Sequence, residues 1–434
     1  MCSGVAAPVQ LKIEKLVYGG EGIGHADGVA VFVPFVAPGE TVAVRLDAQK
    51  KKFARGRVEK FVETSPERVA APCPYFTRCG GCHYQHLPYE GQLAYKKEIL
   101  LETLSRLGNI RWTGPVEVHA SPPFGYRNRA QWKVRSGWGE SVIGYREAGS
   151  QALCPVEHCP ILSPRLEDTL ARLRGVIGRR EIPEGPAEVE AFADGEDERI
   201  LLSASFADFG GKTAEVLGGR LREAIPAIES LLLHDGSRDR FELMGPGYLR
   251  YRVSERRYRV GHLSFFQVNR FLVETLAERA TAEARGGLAL DLYAGVGLFS
   301  LPLAASFERV LAVEGNPAAT RDLDDNVRVG DAGPGRIEVR TADAEDFLPR
   351  WNERPDLILL DPPRAGLSDA ARDHLAALAA PEIRYVSCDP ATLARDLKGL
   401  AETYEIAALE LFDLFPQSFH METLVRLQNR KKPA

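Results

Sequence analysis

Leu288-Ala289-Leu290-Asp291-Leu292-Tyr293-Ala294-Gly295-Val296-Gly297 is an apolar strand running directly into a glycine turn. Lacking Cβ atoms, Gly295 and Gly297 let the backbone approach a ligand closely. Outward from this stretch, helical and strand patterns alternate. A helix over 269–285 precedes it and a helix over 297–305 follows; Arg309-Val310-Leu311-Ala312-Val313-Glu314 is the next strand. Strands over 356–360 and 383–387, with a helix over 368–380 between them, continue the series. This alternation predicts a Rossmann-like, doubly wound α/β sheet over 263–434, whose ligand crevice lies beyond the carboxyl ends of the strands.

The residues at those ends carry chemistry. Glu314 ends the strand after the glycine turn, where a carboxylate accepts hydrogen bonds from ribose hydroxyls. Asp343 follows a third strand and is placed to bind an adenine amino group. Gly-x-Gly is not followed here by x-x-Gly, so the turn departs from the dinucleotide fingerprint, and S-adenosylmethionine fits better than NAD. Asp361-Pro362-Pro363-Arg364 closes the fourth strand, the prolines stiffening the turn that aims the carboxylate. Amino-methylating enzymes usually carry an aromatic where Arg364 stands, which argues against an exocyclic amine as the target.

Ser387-Cys388-Asp389-Pro390 ends the next strand in a thiol. Free cysteine often packs as a small hydrophobe, but a strand end before Asp-Pro is a poor place for a core residue. Carbon 5 of uracil is a weak nucleophile; a thiolate adding at carbon 6 turns the ring into an enolate able to attack a sulfonium methyl. A base must then remove the carbon-5 proton. Glu422, in Phe419-His420-Met421-Glu422-Thr423, is the candidate.

The remainder of the 434 residues calls for further domains. Strand-like runs over 29–36, 40–46 and 54–61, punctuated by Gly19, Gly20, Gly22, Gly24 and Gly28, predict a small OB-like β-barrel over 1–62. A helix is expected over 89–107, and 115–262 reads as α+β. Between them Cys73-x5-Cys79-x2-Cys82 lies in a glycine- and proline-rich loop, with Cys154 and Cys159 as possible fourth ligands. In a chain without a visible secretory signal, clustered cysteines point to a metal rather than to disulfides. The spacing is unlike paired C-x2-C zinc ribbons and favours a 4Fe–4S cluster over zinc.

The net charge of −5 does not advertise a polyanion binder, yet basic residues gather at Arg45, Lys50, Lys51, Lys52, Arg55, Arg57 and Lys60. A second group, Arg127, Arg129, Lys133 and Arg135, is interleaved with Tyr126, Trp132 and Trp138. Such stretches suit RNA, or are solvated strand faces. No apolar run approaches the length needed to span a bilayer, so no membrane is expected and a cytoplasmic location is the default.

Taken together, these residues resemble the RNA uracil-5-methyltransferase family, and within it the TRAM-domain, iron–sulfur 23S rRNA members. The motifs are Phe266-Gln267-Val268-Asn269, Asp291 to Gly297, Asp361 to Arg364, Ser387 to Pro390 and His420-Met421-Glu422-Thr423. The resemblance implies Cys388 as nucleophile and Glu422 as proton acceptor. It also implies Gln267, Tyr293, Glu314, Asp343 and Asp361 around S-adenosylmethionine and the target base. Cys73, Cys79, Cys82 and Cys159 become the ligands of a 4Fe–4S cluster in a central domain over 63–262, and Cys154 falls outside it. The helix over 89–107 is expected to pack on the catalytic domain. Leu298 stands where many members carry a polar residue. The implied partner is RNA, 23S rRNA first and a tRNA T-loop second, acted on by a monomer without an obligate protein partner. A catalytically idle RNA-binding assembly factor is the non-enzymatic alternative.

Overall fold

The computed structural model describes residues 8–50, 52–135, 141–178, 187–207, 211–330 and 335–431. Cys2, Lys51 and Trp138 lie outside the described residues. Contacts group the chain into two units: residues 1–102, 146–154 and 415–420 form the first, and 103–145, 155–414 and 421–434 the second.

The first unit opens with strands β1 (Val9–Lys12), β2 (Lys15–Leu16), β3 (Glu21–Ala26), β4 (Val29–Pro34), β5 (Thr41–Gln49) and β6 (Phe53–Glu63). They form one sheet in the order β1-β5-β6-β4-β3-β2. The Glu14 N–H, just before β2, donates to the Ile23 carbonyl of β3 at 2.8 Å, and Gly24 of β3 lies against the Lys12 carbonyl of β1, so the sheet curls on itself. Alternation turns Leu11, Ile13, Val31, Val33, Val42 and Val44 into one core. Two glycines expected to punctuate turns are instead strand residues. A Cβ on Gly24 would stand 2.2 Å from the Lys12 carbonyl and one on Gly22 2.5 Å from Val36, so only glycine lets these strands meet.

The Arg45–Lys60 patch is partly neutralised where it stands. Arg45 pairs with Glu59, Arg55 with Glu21 and Arg57 with Asp47. Helix α1 (Tyr89–Gly108) follows the cysteine loop, and its last turn belongs to the second unit.

In the second unit come β7 (Val116–His119), β8 (Arg129–Arg135) and β9 (Val142–Arg146), then the short β10 (Leu153–Pro155), whose Leu153 and Cys154 group with the first unit. Helix α2 (Pro164–Gly178), β11 (Glu188–Ala193), β12 (Ile200–Phe206), α3 (Gly211–Ala224), β13 (Ile228–Asp235) and β14 (Arg240–Met244) complete an α+β layer. Its sheet runs β9-β8-β11-β12-β13-β14. The aromatics of the second basic stretch are core, not surface: Trp132 is 0% and Tyr126 1% exposed. Arg129 pairs with Glu190 and Lys133 with Glu188. Hairpin β15 (Tyr248–Val253) and β16 (Arg256–Gly261) leads into the next layer.

That layer contains α4 (Val273–Thr281), β17 (Gly286–Leu292), α5 (Ser300–Leu303), β18 (Phe307–Glu314), α6 (Pro317–Val329) and β19 (Ile337–Thr341). It continues with α7 (Ala344–Phe347), β20 (Leu357–Leu360), α8 (Asp369–Leu378), β21 (Glu382–Ser387), α9 (Pro390–Leu400), β22 (Tyr404–Phe412) and β23 (Glu422–Asn429). The sheet order is β19-β18-β17-β20-β21-β23-β22-β7. Strands β19 to β21 are parallel, whereas β23 runs antiparallel to both neighbours. β7, from the stretch read as α+β, joins this sheet in parallel with β22.

Two helices are shorter than their periodicity predicts. Asn269 is tied down by its side chain, which donates to Ser121 and to the Leu414 carbonyl and accepts from the Phe271 N–H, so the helix starts only at Val273. α5 covers four residues and starts only at Ser300, because Gly297 at φ +92° cannot continue a right-handed helix. Among the described residues no helix is long and apolar enough to cross a membrane.

Candidate active site

Strand order reverses beside β17, with β18 and β19 to one side and β20 and β21 to the other. A crevice opens at such a switch point. At the end of β17 the backbone turns through positive φ at Tyr293 (+60°), Gly295 (+56°) and Gly297 (+92°). The strained residue is Tyr293, which carries a side chain where glycine is favoured.

The turn is held from β18. Glu314 accepts the Gly295 N–H at 2.8 Å through Oε2 and the Asn316 N–H at 2.7 Å through Oε1. Asn316 caps α6, its Oδ1 accepting the Ala318 N–H at 2.8 Å. Asp343, at the end of β19, lies against Gly315, since a Cβ there would stand 2.3 Å from its Oδ1. Tyr293, Glu314 and Asp343 thus gather around one glycine turn. Leu298 is buried, and its carbonyl accepts the Tyr258 hydroxyl at 3.2 Å. Its backbone, not its side chain, is engaged.

Asp291 lies beneath this turn, at a position that strand periodicity alone does not single out as a site residue. It is fully buried and bonded by the Ser300 hydroxyl, while its Oδ1 has no hydrogen-bond partner among the described residues. Burial pushes its carboxyl up to about 7, Ser300 opposes this, and Asp361 adds to it. An acid inside the run Leu-Ala-Leu-Asp-Leu was the available signal.

On the other side of the switch point three groups converge. Asp361 ends β20, its N–H bonded to the Leu292 carbonyl at 3.4 Å. Cys388 leaves β21 just before α9, whose first N–H groups are capped by Asp389. Ser387 pairs with Thr423 across the antiparallel β21–β23 ladder, so the next residues outward, Cys388 and Glu422, face each other. Glu422 is 3% exposed, and its Oε1 has no hydrogen-bond partner among the described residues.

The electrostatics follow from crowding three acids beside one cation. Burial, then Glu422 and Asp361, push the Cys388 thiol up to about 12, against the pull of Arg364. Burial and then Asp361 hold Glu422 well above the usual carboxylate range; Arg364 pulls it down. Burial brings Asp361 to about 7. Burial and mutual repulsion thus favour the protonated forms here, and a further positive charge would oppose them.

Gln267 is buried in a stretch that also exposes three large apolar side chains, Leu263, Phe265 and Phe271. Phe265 is 64% exposed while its neighbours Ser264 and Phe266 are buried, an orientation that sequence periodicity did not single out.

The sequence of this chain matches the TRAM domain over residues 8–58, the tRNA (Uracil-5-)-methyltransferase family over 351–430 and the TRM5/TYW2 methyltransferase domain over 268–366. It is 34% identical to an RNA methyltransferase of Aquifex aeolicus, covering 97% of this chain and 98% of the relative. The chain belongs to the RNA uracil-5-methyltransferase family. An RNA methyltransferase of Thermosynechococcus vestitus is 33% identical, over 97% of this chain and 98% of its own. The Pyrococcus abyssi tRNA (uracil-54, C5)-methyltransferase, solved with S-adenosyl-L-homocysteine, superposes with a TM-score of 0.76 at 26% identity, covering 96% of this chain and 99% of that one. The enzyme is therefore an RNA methyltransferase with an N-terminal TRAM domain.

The cysteines divide between the two units. In the first, Cys79 is pushed up to about 11 by burial, with the Gly81 N–H opposing and the Cys154 and Cys73 sulfurs adding to the rise. Cys154, expected outside the cluster, is thus within electrostatic reach of Cys73 and Cys79. Gln85 Oε1 accepts the Cys73 N–H at 3.1 Å, and its buried Nε2 has no partner among the described residues. Crowded sulfurs with amide donors around them suit thiolates bound to a cation. In the second unit the Cys159 N–H donates to Glu167 at 2.9 Å. A separate trio, Glu117, His119 and Glu410, lies close enough to bind an ion. Arg279 already bonds both carboxylates and supplies a cation there.

Proposed function

We propose that the enzyme methylates carbon 5 of a specific uridine in 23S rRNA. The carrying observation is the cross-strand juxtaposition of Cys388 and Glu422 beside Asp361. S-adenosylmethionine, when bound at the glycine turn, supplies an electrophilic methyl on a sulfonium. Glu314 and Asp343 take its ribose and adenine, with Tyr293 and Gln267 lining the same site. Cys388 adds to carbon 6 as the thiolate, leaving carbon 5 nucleophilic. After methyl transfer the Glu422 carboxylate takes the carbon-5 proton, and the carbon–sulfur bond breaks to return the Cys388 thiolate. Asp361 holds the base and Arg364 balances the charge. The exposed ring of Phe265 and the TRAM barrel offer stacking and backbone contacts to RNA.

Cys73, Cys79, Cys82 and Cys159 are the proposed ligands of a 4Fe–4S cluster, which ties chain segments together and transfers no electron in this scheme. Cys154 is the alternative fourth ligand, favoured by its nearness to Cys73 and Cys79. Loss of iron in Cys159→Ala but not Cys154→Ala decides for the former.

A tRNA uridine is the second reading, favoured by the structural likeness to a tRNA (uracil-54, C5)-methyltransferase. The test is transfer from labelled S-adenosylmethionine into unmodified 23S rRNA and tRNA, with the modified nucleoside mapped. Label in 5-methyluridine of 23S rRNA, lost in Cys388→Ala, supports the proposal. Label in tRNA alone replaces the substrate, and label in neither favours a non-catalytic RNA-binding role.

A further inference from the structure

Helix α6 is bonded both to the glycine turn and to the segment that leads from β16 to Gln267. Asn326, buried near the end of the helix, donates through Nδ2 to the Val296 carbonyl of the turn at 2.9 Å. Its Oδ1 accepts the Arg259 N–H of β16 at 2.6 Å. Asp322, one helical turn earlier, is buried as well. Its Oδ1 accepts Arg259 Nε at 2.6 Å, and its Oδ2 accepts the Gly261 N–H at 2.7 Å and the Ser264 hydroxyl at 2.6 Å.

At the helix start the Ala318 and Ala319 N–H groups donate to Asn316 Oδ1 at 2.8 and 3.5 Å, which fixes the other atom of that amide as the nitrogen. Asn316 Nδ2 donates to the Leu263 carbonyl at 3.2 Å. The Asn316 backbone N–H is held by Glu314, the carboxylate that also braces Gly295. Asn316 therefore joins the methyl-donor turn to the segment 261–265.

What these bonds fix is exposed: Leu263 and Phe265 both present most of their side chains to solvent. Ordering a segment costs conformational entropy, and an exposed ring recovers little of it by burial. A buried carboxylate and an amide holding such a segment suit a ring that meets a ligand. Nucleobases stack on aromatic faces of this kind.

We propose that Asn316 and Asp322 are positioning residues that hold the Phe265 ring in a fixed place relative to the methyl-donor turn, ready to receive RNA. This rests on the reading of Phe265 as an RNA contact. Neither residue touches RNA in this scheme. Removing a tie leaves the segment to be ordered when RNA binds, so the loss falls on RNA affinity and not on the methyl-transfer step.

The experiment compares the full-length wild type with N316S, S264A and F265A, using unmodified 23S rRNA and tRNA transcripts as probes. RNA affinity without cofactor, calorimetric S-adenosylhomocysteine affinity and the single-turnover rate at saturating RNA are read for each. Serine still caps α6 but lacks the amide donor, and alanine at 264 loses only the hydroxyl. Both variants are expected to weaken RNA binding about twofold to tenfold, the worth of one hydrogen bond, with cofactor affinity and transfer rate unchanged. In an F265A background neither should weaken it further, because both act through the ring. Wild-type RNA affinity in both variants overturns the proposal, and so does an equal loss with and without Phe265. If N316S fails to fold, S264A decides on the same readouts. F265A at wild-type RNA affinity removes the RNA contact itself, and with it the proposal, a failure seen in that variant alone.

Discussion

Glu314 Oε2 accepts the Gly295 N–H at 2.8 Å, so the carboxylate expected to bind a ribose also shapes the turn that receives it. Its second oxygen holds the Asn316 N–H. Glu314→Ala removes both acceptors and should weaken S-adenosylmethionine binding by about tenfold to a hundredfold, the worth of one to two hydrogen bonds to a charged group. Glu314→Gln retains one acceptor and should fall between. Calorimetric affinities equal to wild type for the alanine variant would remove Glu314 from the site.

Glu422 faces Cys388 across the β21–β23 ladder. A glutamine there cannot accept the carbon-5 proton, so Glu422→Gln should form the carbon–sulfur bond but break it slowly. The expected result is an RNA–protein adduct that survives denaturing electrophoresis and is absent in Cys388→Ala, with turnover down by about 10²–10⁴. Wild-type turnover by Glu422→Gln would be falsified chemistry for this residue.

Asp291 is held at about 7 by burial, and so is Asp361. Unfolded, each releases its proton near pH 4, so between about pH 4 and 7 the folded state binds more protons. Their contribution to stability is complete below about pH 4 and is lost as pH rises through about 7. Denaturant titrations of the ligand-free enzyme should give lower stability at pH 8 than at pH 5. Asp291→Asn should shrink that difference. A pH-independent midpoint in the wild type would contradict the buried, neutral carboxyls.

A sulfonium adds a second positive charge to that of Arg364 beside Asp361, Glu422 and Cys388. It favours their ionised forms. S-adenosylmethionine should therefore bind with proton release and tighten as pH rises through about 7. S-adenosylhomocysteine, with a neutral sulfur, should release fewer protons. Calorimetry in buffers of different ionisation enthalpy measures both numbers, and equal values would mean that the sulfonium does not reach these acids.

Glu40 is fully buried in the barrel unit, where Arg68 bonds both its oxygens and the Ala37 N–H a third time. Burial pushes its carboxyl up, but these partners outweigh that and hold it below the usual range. Glu40→Ala leaves Arg68 without its partner and should cost about 3 kcal/mol. Thermal melts of the full chain followed at the barrel should drop accordingly. An unchanged melt would mean that Arg68 finds water instead.

Much of this was legible from local pattern. Strand β4, expected over 29–36, runs Val29–Pro34, and β21, expected over 383–387, runs Glu382–Ser387. Apolar periodicity reports burial of one face and needs no knowledge of the partner. It misread positions where a distant contact decides. Gly22 and Gly24 look like turn residues until the neighbouring strand is seen to occupy the space of a Cβ. Trp132 and Tyr126 look like a stacking surface among arginines until the sheet closes over them.

The sequence by itself determined the alternation of strands and helices over 263–434 and the chemical groups at those strand ends, because both are written in neighbouring residues. Tertiary structure alone decided that Glu422, 34 positions beyond Cys388, stands across a ladder from it. It also pushed the carboxyls of Asp291, Asp361 and Glu422 above their usual range by burying them. Register and charge state depend on what surrounds a residue in space, and burial among distant segments is a sum that no local window contains.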